Sequence, residues 1–375
     1  MRFHTIYCIK LVVKSWKIGC ANLKTGCEKK MSVTIKDVAR EANVSPSTVS
    51  RVISESPRIS EETKKRVRDI IIRLNYHPNV VARGLANKST NVIGIILTSE
   101  IEDLSKNPFF IQVMEGISSY AKKQGYYIMY TFCSNKEEEL KCVKDYVHGN
   151  LADGIILTTV YYEDSCIGYL KEMDFPFVVI GRPEDTKNVL WVDNDNFQAM
   201  YSVVSKLLIR GYRKIAFIGP KNEISVGKDR LNGYIQAHKV HGVNINRKLI
   251  KEVNGFNEEC GYEAMKSILE DQTPEAVVAA DDLLAFGTYK YMDEKNIGEI
   301  AVIGFNNTPL AEYHRPSLTS VDINVKKVGY YASKLLIDKL KNNMNENHYV
   351  IETNLIERES TFKGINTKDK MQVTR

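Results

Sequence analysis

The chain has 375 residues, 43% of them hydrophobic and 26% charged, and a formal net charge of +6. That length accommodates two or three domains of about 100–200 residues each. The balance excludes a largely disordered chain, a fibrous repeat and a membrane bundle, since no apolar run approaches the roughly 18–20 residues that span a bilayer.

The charge is unevenly spread. Residues 1–30 carry a net of +6 and residues 31–90 a net of +5, which leaves the remainder at −5. A basic leading portion on a slightly acidic body either meets phosphate or another anionic surface, or is simply a solvated face. Seven cysteines are scattered without C-x-x-C spacing, three of them (Cys8, Cys20, Cys27) in the first thirty residues. Such usage suggests a reducing compartment. His238 and His241 lack companion ligands and read as exposed helix-end residues, so no metal and no cofactor is expected.

Residues 1–30 differ from the rest. Their apolar stretch, Ile6 to Val13, is interrupted by Lys10 and makes a poor secretory signal. Met31 directly precedes a clean helical pattern. Residues 1–30 are therefore expected to be a leader outside the physiological start at Met31, or else a basic arm adding nonspecific DNA affinity.

From Met31 the signals are dense. Thr34 stands three residues before Asp37, close to a capping box. Ile35, Val38, Ala39 and Ala42 fall on one helical face, and Asn43 ends the helix. Ser45-Pro46 opens a second helix: serine caps well, and proline at the first helical position gives up an N–H that is unpaired anyway. Val49, Val52 and Ile53 form its apolar stripe. Two short helices joined by a tight turn make a helix-turn-helix. Ser45, Ser47, Thr48, Ser50 and Arg51 surround the stripe and suit the approach to a DNA groove. Ser60 caps a third helix with Val67, Ile70, Ile71 and Leu74 toward the core and Lys64, Lys65, Arg66 and Arg68 on a solvated face. Pro78 breaks it, and Asn79 can cap a short further helix carrying Val81, Ala82 and Leu85.

VTIKDVAREANVSPSTVSRVI followed by LNYHPNVVARGLANKSTNVIGII strongly resembles the lactose/galactose repressor (LacI/GalR) family of transcriptional regulators. The resemblance extends from about residue 32 to about 363. It implies that Pro46 and Ser47 face bases and that Arg51 reaches deeper into the major groove. Thr34, Ser45, Thr48, Ser60 and Thr63 would hold phosphates, which fixes register without reading sequence. Residues 79–87 would be the hinge helix, entering the minor groove as a dimer pair through Asn79, Ala82 and the wedge Leu85. Many family members carry a bulkier residue where Pro46 stands, which leaves the operator sequence open.

The rest of the chain alternates continuous apolar strands with helices. Strands are predicted at 92–97, 127–132, 154–157, 177–180, 214–218, 276–279 and 300–304. Helices are predicted at 109–123, 136–148, 195–210, 224–241, 260–269, 283–294 and 325–341. This is an α/β pattern of two doubly wound parallel-sheet subdomains, periplasmic-binding-protein-like, following the helix-turn-helix head. Helix 325–341 is expected to return to the first subdomain, as the family fold implies. The divisions are a leader (1–30), a DNA-binding domain (31–77), a hinge helix and linker (78–90), a two-lobed effector-binding and dimerisation domain (91–365) and a tail (366–375).

No dinucleotide, P-loop, zincin or nucleophile-elbow motif is present, so no enzyme is expected. A cleft between lobes should bind a small polar ligand. By the resemblance, Arg230 matches the family's effector-binding arginine, and Asp281 and Asn306 match its polar ligand positions. Phe256 sits at the aromatic wall, Phe110 at the cleft mouth and Asp193 near the crossover between lobes. Phe110 and Phe256 could equally be core, and Asp193 a helix cap. Gly181 stands where several members have a ligand-binding aspartate. Ile180-Gly181-Arg182-Pro183 and Val192-Asp193-Asn194-Asp195 look most like the maltose-operon repressors within the family.

The reading is a cytoplasmic, homodimeric repressor of sugar-utilisation genes, with a near-palindromic double-stranded operator DNA, a small sugar effector of maltose/maltodextrin type and no membrane partner. The rivals are a sugar-binding protein of a transport system, a global carbon-catabolite regulator using a protein corepressor, and a sugar-metabolising enzyme with a regulatory head.

Overall fold

A computed structural model of the chain describes residues 33–77, 89–98, 107–221 and 224–361. Its contacts separate into two compact units, residues 1–83 and 84–375.

In the first unit, α1 (Ile35–Glu41), α2 (Pro46–Ile53) and α3 (Glu61–Arg73) enclose a small core. Val38, Ala39, Ala42, Val49, Val52, Val67, Ile70 and Tyr76 are buried together. The predicted apolar faces are thus the packed ones. The α1–α2 turn begins at Asn43, whose φ of 51° lies in the left-handed region that asparagine tolerates better than most residues. Lys64 departs from the solvated-face expectation. It is 7% exposed, with its ammonium held 2.6 Å from Glu61, because its alkyl stem lies along the core while the charge finds a partner one turn back.

The second unit contains two six-stranded sheets. The first runs in spatial order β11 (His348–Ile351), β5 (Trp191–Asn194), β4 (Phe177–Ile180), β3 (Gly154–Leu157), β1 (Val92–Thr98) and β2 (Tyr127–Cys133). All its strands are parallel. The second is β12 (Asn354–Ile356), β10 (Thr319–Asp322), β9 (Ala301–Phe305), β8 (Ala276–Ala279), β6 (Ile215–Pro220) and β7 (Ile250–Val253), parallel except where β12 runs against β10. Every residue of β3, β4, β6, β8 and β9 is buried, as strands covered on both faces must be.

The connecting helices are α4 (Pro108–Lys123), α5 (Lys136–Gly149), α6 (Ser165–Glu172), α7 (Asn196–Ile209), α8 (Ser225–Val240), α9 (Glu258–Asp271), α10 (Asp282–Glu294), α11 (Pro309–Tyr313) and α12 (Val325–Leu340). The chain passes between lobes three times: from β5 into α7, from β10 into α12, and from β11 to β12. Helix α12 packs against α4 of the first lobe, as expected. A Cβ on Gly116 would collide with the Lys326 carbonyl, and one on Gly329 with the Val113 carbonyl, so paired glycines permit this close approach.

Sequence reading omits α6, α11, β5, β7, β10, β11 and β12, and it misplaces His238. That residue is 2% exposed and donates from Nδ1 to the Tyr234 carbonyl at 3.0 Å, inside α8 instead of at its solvated end. Burial holds its imidazole below the ordinary histidine range.

Candidate functional site

The head places a hydroxyl cluster at the start of α2. Ser45 Oγ accepts from the Thr48 N–H at 3.1 Å and lies 2.7 Å from Ser47 Oγ and 2.9 Å from Thr48 Oγ1. Ser60 repeats the arrangement on α3, with Thr63 N–H at 3.4 Å and Thr63 Oγ1 at 3.0 Å. At α1, the Asp37 carboxylate accepts from the Thr34 N–H at 3.0 Å and its hydroxyl at 2.7 Å. These bonds hold Asp37 below the ordinary carboxylate range. Helix N-termini bearing hydroxyls favour phosphate. Pro46, Ser47 and Arg51 are exposed. Among the described residues Arg40, Lys64, Arg68 and Arg73 are paired to carboxylates, whereas Arg51 has no ion pair. Its guanidinium is thereby available to a ligand. Asn79, Ala82 and Leu85, like residues 1–30 and 366–375, lie outside the described residues.

Within the second unit a cavity of about 780 Å³ opens between the lobes, and Phe110, Asp193, Arg230, Phe256, Asp281 and Asn306 all line it. The first lobe supplies Phe110 near the start of α4 and Asp193 from β5. The second supplies Arg230 from the first turns of α8, Phe256 from the β7–α9 loop, Asp281 from the end of β8 and Asn306 from the end of β9. Sites at the carboxyl ends of parallel strands are the rule for such sheets.

Its floor is a chain of polar contacts. Asp193 Oδ1 accepts from Asn196 Nδ2 at 2.9 Å and from the Asn194 N–H at 2.7 Å. Asn196 Oδ1 accepts from Arg230 Nε at 3.0 Å. Arg230 Nη1 donates to the Ala280 carbonyl, and its guanidinium lies 4.4 Å over the Phe305 ring. Asp281 Oδ1 accepts from the Leu283 N–H at 2.7 Å, and its Oδ2 accepts from Asn306 Nδ2 at 2.6 Å. Asp193 Oδ2 is buried with no hydrogen-bond partner among the described residues. The cap of α7 is Asp195, which leaves Asp193 free of that task.

Burial dominates the electrostatics. It pushes the Asp281 carboxyl up to about 8, with Asp282 alongside adding to the shift. It pushes Asp193 up to about 6 and brings Arg230 down to about 10, against the pull of Asp281 and Asp193. Arg230 remains a cation at neutral pH, facing carboxyls that are reluctant to ionise. Desolvated groups of this kind mark ligand sites.

Asn196 was missed by sequence reading because it stands as an ordinary first residue of α7. Tyr161 and Lys136 at the rim were missed as well; Lys136 Nζ lies 4.2 Å from the Tyr161 ring centroid. Gly181 lines the cavity at a φ of 119°, and the following Arg182 turns away to lie 5.1 Å over the Trp191 ring. Among the described residues no cluster of three His, Cys, Asp or Glu is placed to hold a metal ion, and no helix is long and apolar enough to cross a membrane.

A helical head with a polar, exposed second helix, followed by two α/β lobes around a polar cleft, defines the class of ligand-responsive transcription regulators. Residues 34–79 match the family of bacterial regulatory proteins called the lacI family, and residues 204–361 match a periplasmic binding protein-like domain. The chain is 37% identical over 320 residues to the HTH-type transcriptional regulator MalR of Streptococcus pneumoniae, covering 84% of this chain and 95% of that one. It is 34% identical over 312 residues to catabolite control protein A of Priestia megaterium, covering 82% and 92%. A solved transcriptional regulator CelR–cellobiose complex superposes with a TM-score of 0.68 at 27% identity, over 88% of this chain and 99% of that one. An operator-bound lac repressor dimer shares the fold, with a TM-score of 0.76 at 22% identity and the same coverage. The chain belongs to the LacI family and is a transcriptional repressor with a DNA-binding head.

Proposed function

We propose that this repressor controls sugar-utilisation genes and that the interlobe cavity binds a neutral sugar of the maltose or maltodextrin class. The observation that carries the reading is the buried Arg230–Asn196–Asp193 chain and the Asp281–Asn306 pair lining one cavity together with Phe110 and Phe256. Carboxyls, amides and one guanidinium supply the paired donors and acceptors that vicinal hydroxyls need, and flat rings supply the apolar platform. Arg230 already serves Asn196 and Ala280, which leaves this guanidinium few donors for a phosphate. A cavity of about 780 Å³ is within the ordinary size of a small-molecule site. The relatives named MalR and the cellobiose-bound CelR point the same way.

The chain acts in the cytoplasm as a homodimer without turnover. Two heads bind the halves of a near-palindromic operator, with Pro46, Ser47 and Arg51 at base edges and Thr34, Ser45, Thr48, Ser60 and Thr63 at phosphates. Residues 79–87, with Asn79, Ala82 and Leu85, enter the minor groove as paired hinge helices. So short a helix is marginal alone, so it depends on its partner and on the duplex. Sugar closes the cleft and shifts the operator affinity, by about 5–150-fold for a coupling of ordinary size.

The test is a thermal-shift series with maltose, maltotriose, sucrose, ribose and glucose 6-phosphate, repeated with operator DNA. A neutral oligosaccharide should raise the melting midpoint of the wild type and leave that of Arg230→Ala unmoved. A response confined to the phosphorylated sugar overturns the assignment. The 34% identity to catabolite control protein A favours a second reading, a carbon-catabolite regulator using a protein corepressor. In that case operator affinity would stay indifferent to every sugar in the series.

A further inference from the structure

We propose that Asp153 is the positioning residue that fastens the entry of the body to strand β3, and that β3 carries the state of the cleft to that entry. Asp153 directly precedes β3, and its carboxylate gathers three consecutive residues. Oδ2 accepts from Ser89 Oγ at 2.6 Å and the Asn91 N–H at 2.9 Å; Oδ1 accepts from the Thr90 N–H at 2.6 Å and Thr90 Oγ1 at 2.8 Å. Hydrogen bonds to an ionised acceptor are the strong ones, and four on one carboxylate make a stiff clamp. Ser89–Asn91 is the stretch through which the head and residues 78–88 join the body.

The other end of β3 reaches the cleft. Thr158, Thr159, Val160 and Tyr161 line the cavity. The Val160 carbonyl accepts from the Ser225 N–H of the second lobe at 3.2 Å, and Tyr161 forms an isolated antiparallel bridge with Ile224. This contact joins the lobes apart from the three chain crossings. Between the two ends, the four residues of β3 are buried and paired to β1 on one side and β4 on the other. Such a strand resists bending. A displacement at Val160 therefore arrives at Asp153, which immediately precedes the strand.

The inference rests on the proposed ligand-controlled function, but its first test needs neither ligand nor operator. Ser225 is the first residue of α8, where proline is tolerated, and Ile224 before it is extended (φ −103°, ψ 128°), as a residue before proline must be. Ser225→Pro thus removes the N–H that bonds Val160 while leaving the helix intact. Amide exchange in the full-length protein should then accelerate at Thr90 and Asn91 by about 5-fold or more, the low end of ordinary coupling, with β9 amides unchanged. Unchanged exchange at Thr90 and Asn91 overturns the proposal.

Asp153→Asn supplies the second arm, since the amide keeps the shape of the carboxylate but turns one acceptor into a donor. With maltose as probe, operator affinity of the variant should respond by less than about twofold where the wild type responds by about 5-fold or more, while maltose affinity stays within about twofold. A variant that responds like the wild type overturns the role of Asp153. A wild type indifferent to maltose counts against the proposed effector class and leaves the exchange result to decide the role of β3.

Discussion

Asn306 reaches across the ends of β9 and β8 to donate to Asp281 at 2.6 Å, from a backbone φ of 96°. That conformation belongs to the left-handed half of the map, where a side chain costs about 1–3 kcal/mol. The residue is thus retained in an unfavourable backbone state with its amide aimed at a buried carboxyl in the cavity wall. Asn306→Gly separates the two effects. Relief of the backbone should offset loss of the side chain, leaving stability within about 1 kcal/mol. Sugar affinity should fall about tenfold through loss of the amide that lines the cavity beside Asp281. Calorimetric unfolding and titration of the same samples check both figures.

The raised pKa values of Asp281, about 8, and Asp193, about 6, carry a sign. In the folded protein both hold protons that the unfolded chain releases near the ordinary carboxylate value of 3.8. Folding therefore takes up protons, and stability should fall as pH rises from about 4 to about 8, most of it through Asp281. Asp281→Asn should flatten the upper part of that profile, from about pH 6 to 8. A wild-type melting midpoint constant across that interval would contradict the burial of an ionisable carboxyl there.

Arg230→Ala should leave operator binding intact and abolish its response to sugar. The partners of the guanidinium are Asn196, the Ala280 carbonyl and the Phe305 ring, all of them in the body. Anisotropy titrations on labelled operator, with and without maltose, read both properties. Retained release by maltose would remove Arg230 from the ligand set.

Arg51→Ala addresses the head. Because Arg51 is exposed without an ion pair among the described residues, truncation breaks nothing internal. If the side chain reads a base, affinity for the preferred site should drop by about 1–3 kcal/mol and discrimination at one position should relax. A uniform loss across all sequences, with a reduced salt slope, would make it a phosphate contact.

Gly329→Ala tests the packing of the first lobe. The added methyl would overlap the Val113 carbonyl, which is helix backbone and has no flexible end to yield. Separating α4 from α12 should destabilise the lobe by about 1–3 kcal/mol, as overpacking in a close-packed core does. Denaturant unfolding checks it; an unchanged midpoint would show that the helices slide apart freely.

The central architecture was legible because its strands are continuous apolar runs: Ile155–Leu157, Val178–Ile180 and Val277–Ala279 are buried throughout. The edge strands were not. β11 and β12 are four and three residues long, only partly buried, and their pairing is set by partners distant in the chain. The site was legible where a charge interrupts an apolar pattern, as at Arg230, or where a polar pair ends a strand, as at Asp281 and Asn306. Asn196 carried no such signal, since its role arises only when β5 and α8 are brought side by side. Lys64 and His238 looked exposed by residue type, and only packing reveals a stem or ring used as apolar filler.

The threefold passage of the chain between lobes has a consequence for synthesis. Helix α12 and strand β11 of the first lobe are translated after nearly the whole of the second sheet. A nascent chain emerging from the ribosome can finish its head early. It cannot complete the lobe that follows the head in the chain until residue 351 is out. A truncated product would thus carry a DNA-reading module on an unfinished body, so that regulation by ligand and solubility of the chain are lost together.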